Sequence, residues 1–80
     1  MLLFKVENTY ILSSIGLALT PGVGYNVVRA GDALKLIRPD NSVLQTKIKA
    51  IAFEPNRSIV IESNIKKEDV PIGAEVWLVL

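Results

Sequence analysis

Lysine and glutamine side chains on alternate positions give the chain its clearest capacity for binding. In a β-strand over residues 44–50, the odd-numbered side chains share one face and the less polar even-numbered ones share the other. Cations on one sheet face can contact successive phosphates of a nucleic acid, with an affinity that falls as salt rises. The alternative is a solubilising face whose lysines discourage pairing between sheet edges. The predicted basic face comprises Lys35, Gln45, Lys47, Lys49 and Arg57, with Arg38 as a further candidate.

The two ends of the chain supply a second candidate surface. Residues 1–4 and 76–80 are apolar and carry no charge. Uncharged strands of this kind have to be covered, either by pairing inside the fold or by a partner. They therefore predict a homodimer seam or a docking strand for another protein, unless a closed barrel pairs them internally. The predicted interface residues are Phe4, Trp77 and Val79. Phe4 and Trp77 are expected in the barrel core or as interface anchors rather than as rings that stack on bases, and the aromatic residues form no evident stacking platform.

The residues for most enzyme chemistry are missing. The chain has no histidine and no cysteine, which removes the usual zinc ligands and the Ser-His and Cys-His nucleophile pairs. Its acidic residues show no spacing that fixes two carboxylates on one strand face, as a paired-carboxylate hydrolase requires. No G-x-x-x-x-G-K-[ST] loop is present to hold a nucleotide phosphate. We therefore predict no catalytic, metal or cofactor site, and a protein that is not an enzyme.

Length and charge restrict the class further. Eighty residues, half of them hydrophobic and 21% charged, predict a single domain over residues 1–80 with a packed interior. The net charge of +1 is too small for strong non-specific DNA binding. The apolar run over residues 10–19 lacks the basic flank of a signal peptide, and no run reaches the roughly 20 apolar residues of a membrane span. These features predict a cytoplasmic protein without membrane contact.

Turn-forming residues recur about every eight to twelve positions, which is typical of an all-β sandwich or barrel. The intervals are too short for crossover helices. We predict a small antiparallel β-barrel of about six to seven strands, with residues 64–70 as a loop or a short 3₁₀ turn. The predicted strands are Leu2–Val6, Tyr10–Leu19, Tyr25–Val28, Ala33–Arg38, Val43–Phe53, Ser58–Ser63 and Glu75–Leu80.

A weak internal repeat links residues 28–37 to residues 70–79. Both read apolar, two residues, glycine, two residues, apolar, any residue, apolar, apolar, and they are about 42 residues apart. Gly31 and Gly73 would each supply the positive φ that a tight turn into a strand requires. We predict two similar corners of one barrel.

Four segments together carry a family resemblance: LFKVENTYILSSIGLAL, VRAGDALKLI, LQTKIKAIAF and IGAEVWLVL. In this order the chain resembles the second-domain β-barrel of translational GTPases of the elongation factor Tu type. That resemblance implies a barrel that binds RNA ends, aminoacyl groups or the ribosome and performs no chemistry itself. The early hairpin departs from the family pattern, and the family's GTPase motif does not occur. No ligand-contact residue of the family is carried over to this chain.

These observations lead to one main hypothesis and two alternatives. The main hypothesis is a non-enzymatic binding or adaptor module with a macromolecular ligand. The first alternative is an RNA-binding module that uses the basic face, and the second is a protein-only assembly subunit, such as a homodimer or an inhibitor. A protein partner or self-association is expected, RNA is the alternative partner, and neither a nucleotide nor a cofactor is expected.

Overall fold

The structure, a computed structural model, describes residues 1–13, 15–22, 28–52, 58–62 and 64–79. Within these ranges the chain forms seven antiparallel strands and a 3₁₀ turn, which confirms the predicted all-β class. The strands follow the order β1-β7-β4-β5-β6-β3-β2 and curl into a half-barrel. Their bounds are β1 Leu2–Lys5, β2 Asn8–Leu12, β3 Gly16–Thr20, β4 Ala33–Ile37, β5 Val43–Ala52, β6 Ser58–Ile61 and β7 Glu75–Leu78, with the 3₁₀ turn at Lys67–Asp69.

Strand β5 belongs to both halves of the structure. Its residues 43–47 pair with β4. From Ile48 to Ala52 the strand pairs with β6, with an irregular register between Ile48 and Ala50. We call β1, β7, β4 and the first part of β5 half-sheet 1. The second part of β5, with β6, β3 and β2, forms half-sheet 2. A bulge of this kind bends a strand and lets it pass from one layer to the next.

A second corner joins the two half-sheets between β1 and β2. The Val6 N–H donates a hydrogen bond to the Ala74 carbonyl in half-sheet 1 at 2.8 Å. The next residue, Glu7, donates from its N–H to the Thr20 carbonyl in half-sheet 2, also at 2.8 Å. Strands β1 and β2, the first and last in the sheet order, are therefore consecutive in the chain, and the two residues between them are hydrogen-bonded to both half-sheets.

The core lies between the half-sheets and follows the predicted alternation. On β4, Leu34 and Leu36 are buried while Lys35 between them is half-buried on the opposite face. Burying each large aliphatic side chain contributes about 1.5–3 kcal/mol. The buried cluster comprises Phe4, Val6, Leu17, Leu19, Val28, Leu34, Leu36, Ile48, Ile59, Ile61, Val70, Ala74, Val76 and Leu78.

The predicted repeat forms two corners with the same hydrogen bonds. The Gly31 N–H donates to the Ile48 carbonyl at 2.7 Å, and the Ile48 N–H donates to the Asp32 carbonyl at 2.9 Å. In the second corner, Gly73 and the residue after it bond to Val6 in the same way. Both glycines have a positive φ, 96° and 93°. The prediction of two similar corners is confirmed.

The repeat extends into an approximate two-fold symmetry of the whole strand arrangement. Lys35 and Trp77 occupy equivalent positions in the repeat, and they lie directly opposite each other where β4 pairs with β7. Ala18 and Val60 are likewise 42 residues apart, and they lie opposite each other where β3 pairs with β6. Strand β5 is then the counterpart of β1 and β2 together.

One predicted strand is wrong in its extent. Residues 10–19 do not form a single strand, because β2 and β3 fold into a hairpin with a hydrogen bond from the Ile15 N–H to the Leu12 carbonyl at 3.0 Å. The return strand begins at Gly16. This position requires a glycine, because a Cβ there would lie 2.1 Å from the Ile61 carbonyl oxygen. Residues 8 and 9, which the prediction left between its first two strands, belong to β2.

Other predicted elements fall partly or wholly outside the described residues. The predicted strand Tyr25–Val28 is described only at Val28, which is buried and belongs to no strand. The predicted ends at Phe53, Ser63 and Leu80 also lie outside those ranges. The short 3₁₀ turn considered for residues 64–70 is present at Lys67–Asp69.

The close approach at Gly16 generates a stability prediction. We expect Gly16→Ala to lower the free energy of unfolding by about 3 kcal/mol or more, because the new methyl group meets backbone that cannot move aside. Gly31→Ala is the matched control, since no atom lies within 4 Å of its Cβ position and only the strain of its positive φ, about 1–2 kcal/mol, remains. Urea unfolding measures both. Equal losses in the two variants would contradict the close approach.

Candidate binding face

The outer face of half-sheet 1 brings residues from both predicted sets together. Lys35 on β4 lies opposite Trp77 on one side and opposite Gln45 on the other. On β1, Leu2 lies opposite Trp77. These four side chains form a cross-strand row, which we call the tryptophan row, on the face away from the core. Lys35 and Gln45 from the basic set and Trp77 from the interface set, which were predicted as separate surfaces, therefore lie on one surface.

A second row runs beside the tryptophan row. The Val79 N–H donates to the Ala33 carbonyl at 3.0 Å, and Ala33 lies opposite Lys47 on β5. Val79 and Lys47 are exposed. A groove of about 280 Å³ is lined by all three residues of this row, by Gln45 of the tryptophan row, and by Leu34 and Thr46. The face therefore combines apolar side chains, an amide and an ammonium group beside a groove.

Two polar contacts hold the indole of Trp77. The Lys35 Nζ lies 5.8 Å from the ring centroid, a cation–π contact that contributes about 0.5–1 kcal/mol at an exposed site. The indole Nε1–H donates to Glu75 Oε1 at 3.0 Å. Trp77 is half-buried and is not part of the core cluster. The ring therefore has a cation over its face and a hydrogen-bond acceptor at its indole N–H.

Other predicted site residues lie elsewhere. Phe4 is 9% exposed and packs in the core, one of the two positions that the sequence left open, so it cannot serve as an exposed interface anchor. Lys49 is exposed but lies at the irregular register where β5 leaves half-sheet 1, beyond the last residue opposite β4. Arg57 lies outside the described residues.

The terminal strand is not the open docking strand considered from the sequence. Strand β7 lies between β1 and β4 and pairs with both. Its backbone is therefore used inside half-sheet 1, and a partner strand cannot pair with β7 without displacing β1. The apolar character of both chain ends is explained largely by this internal pairing, while Leu2 and Val79 keep exposed side chains.

The Arg38 side chain links the turn between β4 and β5 to the 3₁₀ turn through hydrogen bonds and does not extend the basic face. Its Nε donates to the Asp69 carbonyl at 2.7 Å, and its Nη1 donates to Ser42 Oγ at 3.1 Å. In the same turn, Asp40 Oδ1 accepts hydrogen bonds from the Ser42 N–H and Oγ–H at 2.9 and 2.6 Å. These donors, with the nearby Arg38 charge as a smaller cause, lower the pKa of Asp40.

Sequence reasoning missed some members of the face. Leu2 and Glu75 contact or flank Trp77, and Lys5 lies opposite Glu75 on the same pair of strands. The sequence shows that the first residues are apolar, but a sequence pattern does not show which strand lies beside Trp77. The pairing of β1 with β7 joins residues from opposite ends of the chain.

Comparisons with protein-family models, curated proteins and solved structures found no match to this chain. Over the described ranges, no three His, Cys, Asp or Glu side chains are grouped in a way that could hold a metal ion. No helix in the described part of the chain is long and apolar enough to cross a membrane.

The Lys35–Trp77 contact generates a spectroscopic prediction. Trp77 is the only tryptophan, so its fluorescence reports on this face alone. We expect Lys35→Met to change the intensity and emission maximum of that fluorescence and to lower the free energy of unfolding by at most about 1 kcal/mol. Lys47→Met, which removes a lysine from the neighbouring row, serves as the control and should leave the spectrum unchanged. An identical spectrum in Lys35→Met would contradict the contact.

The lowered pKa of Asp40 generates a pH prediction. Because the pKa is lower in the folded state than in the unfolded state, the ionised carboxylate stabilises the fold above the unfolded-state pKa, and this stabilisation is lost as pH falls through the folded-state pKa. We expect Asp40→Asn to be less stable than the wild type at neutral pH and to approach it at acid pH, below the folded-state pKa of Asp40. Urea unfolding of both proteins across pH measures the difference. A difference that does not change with pH would contradict the prediction.

Proposed function

We propose that the protein is a non-enzymatic binding module and that the outer face of half-sheet 1 is its ligand-binding surface. The observation that carries the proposal is the tryptophan row, in which Trp77 and Lys35 lie side by side between Leu2 and Gln45. An aromatic ring fixed among polar and apolar neighbours provides a large contact area at little cost in conformational entropy.

The ligand class that this face favours is single-stranded RNA. Stacking of a base on an aromatic ring contributes about 1–3 kcal/mol, and lysines beside the ring can contact the phosphates on either side of that base. Lys5, Lys35 and Lys47 lie on the strands around Trp77, while the carboxylate of Glu75 is bonded to the indole N–H. The resemblance to barrels that bind RNA ends supports the same ligand class.

A protein ligand on the same face is the second candidate. Leu2 and Val79 expose 44% and 49% of their surface near Trp77, and Met1 next to them exposes 51%. Tryptophan is enriched at the centres of protein interfaces, where neighbouring apolar side chains exclude water. Because such contacts depend little on salt, the salt dependence of binding distinguishes this candidate from RNA.

Titration of the protein with a short single-stranded RNA, followed by Trp77 fluorescence, tests the RNA proposal. We expect quenching on binding, because a base stacks on the indole, and an affinity that falls roughly tenfold between about 50 and 200 mM salt for two or three phosphate contacts. A filter-binding assay at the same salt concentrations gives an independent measure. Absence of binding at low salt would remove RNA as the ligand.

A pair of charge-reversal variants shows whether binding uses this face. We expect the double variant Lys35→Glu and Lys47→Glu to bind the RNA at least about tenfold more weakly. The control is Lys66→Glu with Lys67→Glu, two exposed lysines beside or within the 3₁₀ turn, which makes the same change in net charge. Equal losses in both variants would show that the attraction is non-specific and would contradict a site on half-sheet 1.

A further inference from the structure

The outer edge of β2 is exposed, apolar and without charge. Among the described residues, β2 pairs only with β3, so one side of its backbone has no strand beside it. Residues 8–12 carry no charge. Tyr10 and Ile11 expose 51% and 72% of their surface, and Ile15 in the following turn exposes 47%. An edge of this kind readily pairs with another strand.

The other strands at the margins of the half-sheets carry lysines. The first part of β5 holds Lys47, the bend into its second part holds Lys49, and β1 ends on Lys5. Edge lysines oppose strand pairing, because a second chain would bring like charges together or bury an ammonium group. By the 42-residue spacing of the repeat, residues 8–10 of β2 correspond to residues 50–52 of β5, which are also uncharged but half-buried. Pairing is therefore least opposed at β2, where Tyr10 and Ile11 are exposed.

We propose that two copies of this chain associate by antiparallel pairing of their β2 strands. In the pairing that we infer, Ile11 lies opposite Ile11 of the second copy and Tyr10 lies opposite Leu12. No charged side chain of β2 meets another, and β-branched and aromatic pairs of this type stabilise antiparallel strands. The pairing is centred on Ile11 because the Thr9 N–H already donates to Asn8 Oδ1 at 2.9 Å.

The surface next to this edge suits a second copy. A groove of about 380 Å³ lies between the β2–β3 hairpin and the 3₁₀ turn; its apolar lining includes Ile11, Leu12, Leu17 and Ile65, and its charged lining is Lys66, Lys67 and Glu68. Apolar side chains of the paired strand can contact the apolar part of this groove, which adds to the backbone hydrogen bonds. The pairing joins both copies of half-sheet 2 into one continuous sheet and uses no residue of the proposed ligand face.

Light scattering coupled to size-exclusion chromatography over a range of protein concentrations tests the proposal. We expect a dimer that dissociates on dilution, and an Ile11→Lys variant whose dissociation constant is at least about tenfold higher. Ile11 is exposed in the single chain, so this variant keeps its core. The control is Val43→Lys at the β5 margin, where the side chain is 50% exposed, and it should dimerise as the wild type does.

A cysteine variant tests the register. The chain has no cysteine, so Ile11→Cys introduces a single thiol. Residues directly opposite in an antiparallel pair have Cα atoms about 4.5–5.5 Å apart, which allows a disulfide. We expect mild oxidation to give a covalent dimer of Ile11→Cys and little of Val43→Cys. A monomer at every concentration, a dimer that survives Ile11→Lys, or equal cross-linking of both cysteine variants would overturn the proposal. None of these results depends on RNA binding.

Discussion

The bend of β5 at Ile48 is the constraint on which the rest of the structure depends. A chain of 80 residues has to cover a hydrophobic core from both sides, and it does so by letting one long strand belong to two layers. At the bend, the Ile48 side chain is buried and its backbone is hydrogen-bonded to Gly31 and Asp32. The equivalent corner at Val6 performs the same task for β1 and β2. The core lies between the layers that these two corners join.

The same corners divide the outer surface into regions of different chemistry. Half-sheet 1 places Trp77 between Leu2 and Lys35 on a face that combines apolar and basic side chains. Half-sheet 2 ends in β2, an uncharged edge with exposed apolar side chains. A net charge of +1 conceals this uneven distribution, because local groups and not the total charge decide what each surface can bind. Ligand binding and self-association are therefore proposed for separate parts of the molecule.

Most of the strand positions could be predicted from local patterns. Alternation placed Leu34 and Leu36 inward and Lys35 outward, and turn spacing located the strands from Ala33 onward to within a few residues at each described end. The hairpin between β2 and β3 could not be predicted in this way. The residues on both sides of its turn are apolar, and the close approach that requires a glycine at position 16 is to the backbone of Ile61, which is distant in sequence.

The all-β class, the two glycine corners and the residues of each strand that share a face could be derived from the sequence, because these properties follow from side-chain alternation and from backbone conformations that few residues adopt. Which strands are neighbours is a property of the folded chain. Trp77 and Lys35 meet because β7 pairs with β4, and Phe4 is buried because β1 packs its inner side against the core. Alternation repeats every two residues, so it records a side chain's face but carries no information about the strand beside it.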